Sequence, residues 1–143
     1  TIEQHKIAYT LIKLEITETA LITNFDKAKE VIDKLNTMGI DFIIDDFGTG
    51  YSSLSYLKMF PFSALKIDKS FVKDILTDPE DEKLIRAIIH TAKQFDYQII
   101  AEGIEEEAQR ALLKNIHPSL YYQGYLASKP LTVNDFQKYL RDE

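Results

Sequence analysis

Hydrophobic and polar positions along the chain repeat with two different periods. Five short segments alternate in polarity or are almost entirely apolar, which is typical of β-strands. Their predicted ranges are 11–17, 40–46, 63–68, 97–104 and 120–125. Longer segments carry apolar residues every three or four positions, which is typical of amphipathic helices. The helices are predicted at 24–39, 82–95, 105–115 and 132–142, with a further short helix from about Ser70.

This alternation of strands and helices predicts an α/β fold with a parallel sheet and right-handed crossovers. Two architectures fit the pattern equally well. One is a doubly wound open sheet, and the other is a partial (β/α)8 TIM-like barrel with about five parallel β/α units. In both architectures the carboxyl ends of the strands meet at one rim, where parallel α/β folds place their functional sites.

The composition limits the classes of function. The chain has 143 residues and a net charge of −6, so we expect one domain without a broad basic surface for DNA. It has no cysteine, which excludes disulfides and thiolate metal sites. No apolar run is long enough to insert into a membrane. Since no signal peptide opens the sequence, the cytoplasm is the expected location.

Polar residues recur at the carboxyl end of every predicted strand. They are Glu15, Glu18, Asp45, Asp46, Lys66, Asp68, Glu102, Glu105 and Gln123. Carboxylate and amide oxygens, with no cysteine and few histidines, suit Mg²⁺ or Mn²⁺. A divalent cation would also turn the repulsion between the adjacent Asp45 and Asp46 into an attraction.

The same residues have a plainer interpretation. A single acidic residue at a strand end is more often a helix cap or a solvated loop residue than a ligand. Asp68, which precedes "KSF", is the best candidate for such a cap. Lys66 is harder to explain in this way, because it alternates with Leu65 and Ile67 in a buried strand and a buried lysine needs an anionic partner.

Five motifs follow one another along the chain: "LEITE" (14–18), "DDFGTGYSSLSYL" (45–57), "LKIDKSFV" (65–72), "IIAEGIE" (99–105) and "QGYLASKP" (123–130). Together they resemble the EAL family of cyclic di-GMP phosphodiesterases. They occur in the family's order and extend over essentially the whole chain. The agreement of five separate motifs is more specific than any one of them.

The resemblance implies a role for each rim residue. Two cations, Mg²⁺ or Mn²⁺, occupy the complete family domain, and four carboxylates of this chain would bind them: Glu15, Asp45, Asp46 and Glu102. Lys66 would hold the attacking water. Glu105 and Gln123 would orient ligands and water around it.

The segment after the aspartate pair would form a loop that positions the pair and takes part in dimer contacts. It comprises Phe47, Gly48, Thr49, Gly50, Tyr51, Ser52 and Ser53. Glu18 would brace this loop. The resemblance therefore also implies a homodimer or another form of self-association.

The chain departs from the family pattern in one respect. The family is named after a Glu-Ala-Leu segment on an early strand, and this chain contains no such segment. The metal-binding glutamate of that strand and an asparagine of the next strand are missing with it. Residues 1–143 are therefore expected to be the C-terminal part of an EAL domain, with the fourth to eighth strands of its barrel.

The implied reaction is the metal-dependent hydrolysis of the bacterial second messenger cyclic di-GMP to linear pGpG. Because two metal ligands are missing, the chain alone is expected to be weakly active or inactive. Two other functions stay open, a cyclic di-GMP receptor that does not cleave its ligand and a protein-interaction module with a vestigial rim. The family's rim residues are all present within the matched span, which favours descent from an active enzyme. The chain would act in the cytoplasm, free or as the cytosolic portion of a larger, membrane-attached signalling protein.

Overall fold

The computed structural model describes residues 2–49 and 54–142 as an α/β fold around one parallel sheet. Its strands are β1 (Lys13–Thr17), β2 (Asp41–Phe47), β3 (Phe62–Ile67), β4 (Gln98–Glu102) and β5 (Tyr121–Gln123). Its helices are α1 (Glu18–Thr23), α2 (Phe25–Thr37), α3 (Leu54–Met59), α4 (Lys69–Lys73), α5 (Pro79–Gln94), α6 (Glu107–Ile116) and α7 (Val133–Asp142). None of the helices within these ranges has the length and apolar character needed to cross a membrane.

The order of the strands decides between the two predicted architectures. The sheet runs β1-β2-β3-β4-β5, and each strand is parallel to its neighbours. A doubly wound sheet reverses its strand order at a switch point, whereas a (β/α)8 barrel keeps chain order throughout. The sheet therefore has the order of consecutive barrel strands, and the doubly wound alternative is wrong.

The two faces of the sheet differ sharply in polarity. The strand registers place Glu15, Asp45, Lys66, Glu102 and Gln123 on one face. The opposite face carries apolar side chains that are buried against the helices: Phe42, Ile44, Leu65, Ile67, Ile99 and Ala101. The first face also carries Ile43, Ala64 and Ile100, so its polar side chains are concentrated toward the carboxyl ends of the strands, where they can form a site.

Local sequence explains the beginning of α5 and the end of α2. α5 begins at Pro79, three residues before the predicted start, because Asp78 accepts a hydrogen bond from the Glu80 amide and proline suits the first helical position. Gly39 follows α2 with a φ of +93°, as expected of a residue that ends a helix. The helices α1 and α3 were not predicted, since six residues are too few to show a helical period.

Candidate active site

A bulge at the end of β2 allows two adjacent aspartates to serve the same rim. Consecutive side chains of a regular strand point to opposite faces, which would separate Asp45 from Asp46. β2, however, advances three residues from Ile44 to Phe47 while β3 advances two, so β2 carries one extra residue here. Asp46 takes a left-handed φ of 53°, a conformation that aspartate tolerates better than most residues. Bulges re-aim side chains in this way, which explains how neighbouring carboxylates converge.

The ammonium of Lys66, on β3, contacts three carboxylates from three other strands, β1, β2 and β4. Its Nζ lies 2.6 Å from Glu102 Oε1, 2.8 Å from Glu15 Oε2 and 3.1 Å from Asp45 Oδ1. The Lys66 side chain is only 5% exposed, whereas the Glu15 side chain is 47% exposed. The prediction that this buried lysine needs anionic partners is confirmed.

These contacts raise the pKa of Lys66 above the ordinary lysine value. Burial by itself would lower the pKa, because it disfavours the charged ammonium. The hydrogen bonds to Glu102, Glu15 and Asp45 outweigh that effect. Lys66 is therefore a fixed positive charge near neutral pH rather than a general base.

Asp68 caps a helix and also contacts one of the two adjacent aspartates. It caps α4, since its Oδ1 accepts hydrogen bonds from the amide and the hydroxyl of Ser70. Burial would raise the pKa of Asp68, but these hydrogen bonds lower it. Asp68 also contacts Asp46, whose pKa is raised by burial and by the charges of Asp45 and Asp68. The capping interpretation is confirmed, and the contact with Asp46 is one that the sequence did not reveal.

The arrangement of carboxylates fits a divalent cation. Asp45, Asp46 and Glu102 each offer an oxygen within 4.8 Å of the other two. All three side chains are half-buried, and their hard oxygen donors suit Mg²⁺, Mn²⁺ or Ca²⁺. Within the described part of the chain, Glu15 is not a fourth member of this group; its carboxylate contacts Lys66, which in turn contacts Asp45 and Glu102.

Glu105 and Gln123 lie beside this group. A cavity of about 300 Å³ is lined by Glu102, Glu105, Gln123 and Lys69, together with Gly103, Gly124 and Tyr125. Gln123 pairs with Glu102 across β4 and β5, which places it on the polar face. The structure thus brings both predicted residues to the rim, while their catalytic roles stay a prediction.

The loop after the aspartate pair is only partly described. Phe47 is buried, and the hydroxyl of Thr49 donates to the Asp46 carbonyl oxygen over 2.9 Å, which closes a turn. Gly48 has a φ of +96°, and a Cβ there would lie 3.2 Å from both Ile88 and Phe71. The other predicted loop residues lie outside the described residues: Gly50, Tyr51, Ser52 and Ser53. Glu18 is buried at the start of α1, and its bracing role stays a prediction.

Sequence reasoning missed one buried polar residue near the rim, Gln109. It is 5% exposed, and its Oε1 accepts hydrogen bonds from the amides of Glu105 and Glu106. The sequence did contain a signal, since a glutamine three residues after a helix-capping position is typical of a capping box.

Comparisons with known proteins agree with this geometry. The model of the EAL domain family matches residues 1–130. Cyclic di-GMP phosphodiesterase NbdA of Pseudomonas aeruginosa is 41% identical over 140 residues, which are 98% of this chain and 18% of that protein. The chain thus spans about a fifth of the length of this curated relative.

Solved structures share the fold over nearly the whole chain. The EAL enzyme Bd1971, with cAMP and cyclic di-GMP bound, superposes with a TM-score of 0.91 at 40% identity, covering 97% of this chain and 36% of that one. A manganese and cyclic di-GMP complex of Klebsiella pneumoniae BlrP1 gives a TM-score of 0.82 at 30% identity, covering 90% of this chain and 33% of that one. The resemblance drawn from the five motifs is confirmed, and the chain belongs to the EAL domain family.

Proposed function

We propose that this chain forms the C-terminal part of a cyclic di-GMP phosphodiesterase site, which hydrolyses the cyclic dinucleotide to linear pGpG. One observation carries the proposal: the carboxylates of Asp45, Asp46 and Glu102 converge beside the buried ammonium of Lys66. Relatives named as cyclic di-GMP phosphodiesterases and solved complexes with cyclic di-GMP support the same substrate.

Asp45, Asp46 and Glu102 would hold the cations of the site, Mg²⁺ or Mn²⁺, and Glu15, which now contacts Lys66, would be the fourth ligand. When bound, such cations polarise a phosphoryl oxygen and lower the pKa of a coordinated water. The carboxylates also explain how an acidic protein accepts an anionic substrate, since the bound cations reverse the local charge.

Lys66 would position the attacking water through one of its N–H groups. In the structure all three of these donors face carboxylates, so one partner must yield its place. Glu15 is the partner best suited to do so, because its side chain is the most exposed of the three. The fixed positive charge of Lys66 would also favour the ionised form of the water.

Glu105 and Gln123 would complete the site from the cavity next to Glu102. Their carboxylate and amide oxygens can accept hydrogen bonds from water. A water held between them and Lys66 would approach the phosphorus in a defined direction, which is the main requirement for an in-line displacement.

The site is proposed to be incomplete in residues 1–143, because the ligands expected from the Glu-Ala-Leu strand and its neighbour are missing. β1 and β5 are the outer strands of the described sheet and present unpaired backbone groups along one side. We therefore expect residues 1–143 to self-associate, with a symmetric dimer as the simplest form. The protein is expected to act in the cytoplasm.

Calorimetric titration with Mn²⁺ tests the metal site directly. Wild-type protein should bind Mn²⁺ weakly, and Asp45→Ala should bind it at least about tenfold more weakly. The matched control is Glu30→Ala, on the exposed face of α2, which should bind Mn²⁺ like the wild type. Equal affinities for all three proteins would remove the proposal.

Hydrolysis is tested by incubating cyclic di-GMP and Mn²⁺ with residues 1–143, and in parallel with a longer form that includes a Glu-Ala-Leu strand. Chromatography should detect pGpG formation by the longer form and little or none by residues 1–143. Binding of cyclic di-GMP without turnover by the longer form would instead identify a receptor. Equal turnover by the two forms would show that the missing ligands are dispensable.

A further inference from the structure

Gln109 is buried where an amphipathic helix normally presents an apolar residue. Only three polar or charged residues of the described chain are buried, and the other two, Lys66 and Glu18, lie at the rim. A buried amide must satisfy both its oxygen and its nitrogen, so its hydrogen-bond partners show what it holds together.

The side chain of Gln109 joins two segments that flank the site. Its Oε1 accepts from the Glu105 amide over 2.9 Å and from the Glu106 amide over 3.0 Å. Its Nε2 donates to the carbonyl oxygen of Val72, at the end of α4, over 3.2 Å. The loop between β4 and α6 is thereby tied to α4 through one side chain.

The rest of this loop is held by close backbone contacts. Gly103 has a φ of +70°, and a Cβ there would lie 2.6 Å from the Cβ of Lys69. The Ile104 amide donates to the Gln123 carbonyl oxygen, and the Ile104 carbonyl oxygen accepts from the Leu126 amide. Glu105, the next residue, is exposed and depends on Gln109 for the fixation of its backbone.

We propose that Gln109 is a positioning residue that acts through Glu105. By holding the Glu105 amide, it sets the direction in which the Glu105 carboxylate enters the cavity shared with Glu102 and Gln123. This proposal rests on the proposed function, because it assigns Gln109 a part in the same site. Partners of this kind orient the residues that contact ligands, and their loss typically costs about 10- to 100-fold in activity or metal affinity.

The test compares two substitutions of Gln109 in a form of the protein that turns over cyclic di-GMP. Gln109→Met keeps the size of the side chain but removes every hydrogen bond, so kcat should fall about tenfold or more with KM little changed. Gln109→Glu keeps an acceptor for the Glu105 and Glu106 amides but loses the donor to Val72, so it should keep more of kcat than Gln109→Met without reaching the wild type. Asn115→Met, at an exposed position of the same helix, is the matched control and should match the wild type.

Hydrogen exchange gives a readout that does not depend on turnover. The Glu105 and Glu106 amides should exchange at least about tenfold faster in Gln109→Met than in Gln109→Glu. A purely structural role would lower Tm in both variants while leaving kcat of the folded protein unchanged, and that result would overturn the proposal.

The two proposals fail in different ways. If the longer form without substitutions neither turns over cyclic di-GMP nor binds Mn²⁺, the proposed function is wrong, and the Gln109 proposal falls with it even if the Glu105 and Glu106 amides exchange as expected. If the longer form is active but Gln109→Met keeps its kcat or its exchange at Glu105, only the Gln109 proposal is wrong.

Discussion

Replacement of Lys66 by methionine should have opposite effects on the stability of the metal-free protein and on its affinity for metal. Methionine keeps an unbranched side chain of similar length but removes the ammonium. Three carboxylates, on Glu15, Asp45 and Glu102, then face one another without the cation that now lies 2.6–3.1 Å from each. The metal-free variant should therefore be destabilised by like-charge repulsion.

The magnitude follows from the burial of the four groups. Removal of one partner from a fully buried ion pair costs about 3–5 kcal/mol. Here the lysine is 5% exposed, but the carboxylates keep between 19% and 47% of their side-chain surface in water, which screens their repulsion. We expect a loss of about 2–3 kcal/mol, which corresponds to roughly 5–10 °C in Tm for a chain of this length.

The effect on metal binding has the opposite sign. A divalent cation held by Asp45 and Glu102 would lie near the Lys66 ammonium, because both carboxylates contact that ammonium. Charges of +2 and +1 separated by about 5 Å, taken as an illustration, repel by roughly 2 kcal/mol even at the dielectric constant of water. Without the ammonium, Mn²⁺ should bind at least about tenfold more tightly. Saturating Mn²⁺ should then return much of the lost stability, because a ligand that binds only the folded state stabilises it.

Thermal unfolding and Mn²⁺ calorimetry measure both quantities on the same samples. Lys27→Met, at an exposed position of α2, is the control for the loss of one lysine and should behave like the wild type. The reasoning is refuted if Lys66→Met unfolds at the wild-type Tm without metal, or if it binds Mn²⁺ no more tightly than the wild type. In a catalytically complete form, the same variant should lose kcat far more than affinity for cyclic di-GMP.

Two further predictions concern the scaffold. Burial and the nearby charges of Lys93 and Lys114 lower the pKa of His117, so the neutral imidazole contributes stability above its unfolded pKa, and this contribution is lost as the pH falls through the lower folded pKa. Urea titrations from pH 7 to 5 should therefore show a smaller loss of stability for His117→Gln than for the wild type. An equal loss in the two proteins would contradict this prediction. Gly103→Ala should lower the free energy of unfolding by about 2–4 kcal/mol, because Gly103 has a positive φ and a Cβ there would lie 2.6 Å from Lys69. Gly39→Ala, whose nearest contact would be at 3.2 Å, should lower it by only about 1–2 kcal/mol. Equal Tm values for the two variants would show that the contact with Lys69 relaxes freely.

The sequence was sufficient to predict the parallel sheet and its rim, because the periods of two and of 3.6 are local properties. It was not sufficient to choose the architecture, since both candidates share those periods and differ only in which strands pair. The sequence could not predict that the side chains of Asp45 and Asp46 point to the same rim, because this depends on a bulge and on a left-handed φ at Asp46. The resemblance to the family predicted that the two aspartates act together, and the bulge explains physically how they can.

Gln109 shows a different limit of sequence reasoning. A glutamine in the first turn of a helix is usually solvated, and only the position of α4 relative to α6 reveals that this one is buried. Asp68 is an intermediate case, since its cap on Ser70 follows from local spacing while its contact with Asp46 depends on the pairing of β2 with β3.

The chain order of the strands has consequences for how the sheet forms during folding and for how the gene can gain or lose β/α units. Each strand from β2 to β5 pairs with the strand before it, so every backbone ladder of the described sheet closes over a connection of only one or two helices. The sheet can then grow one β/α unit at a time. A gene that gains or loses a whole unit at either end changes the number of strands and the position of the open edge but leaves the pairing among the remaining strands unchanged, which favours fusion and division between units.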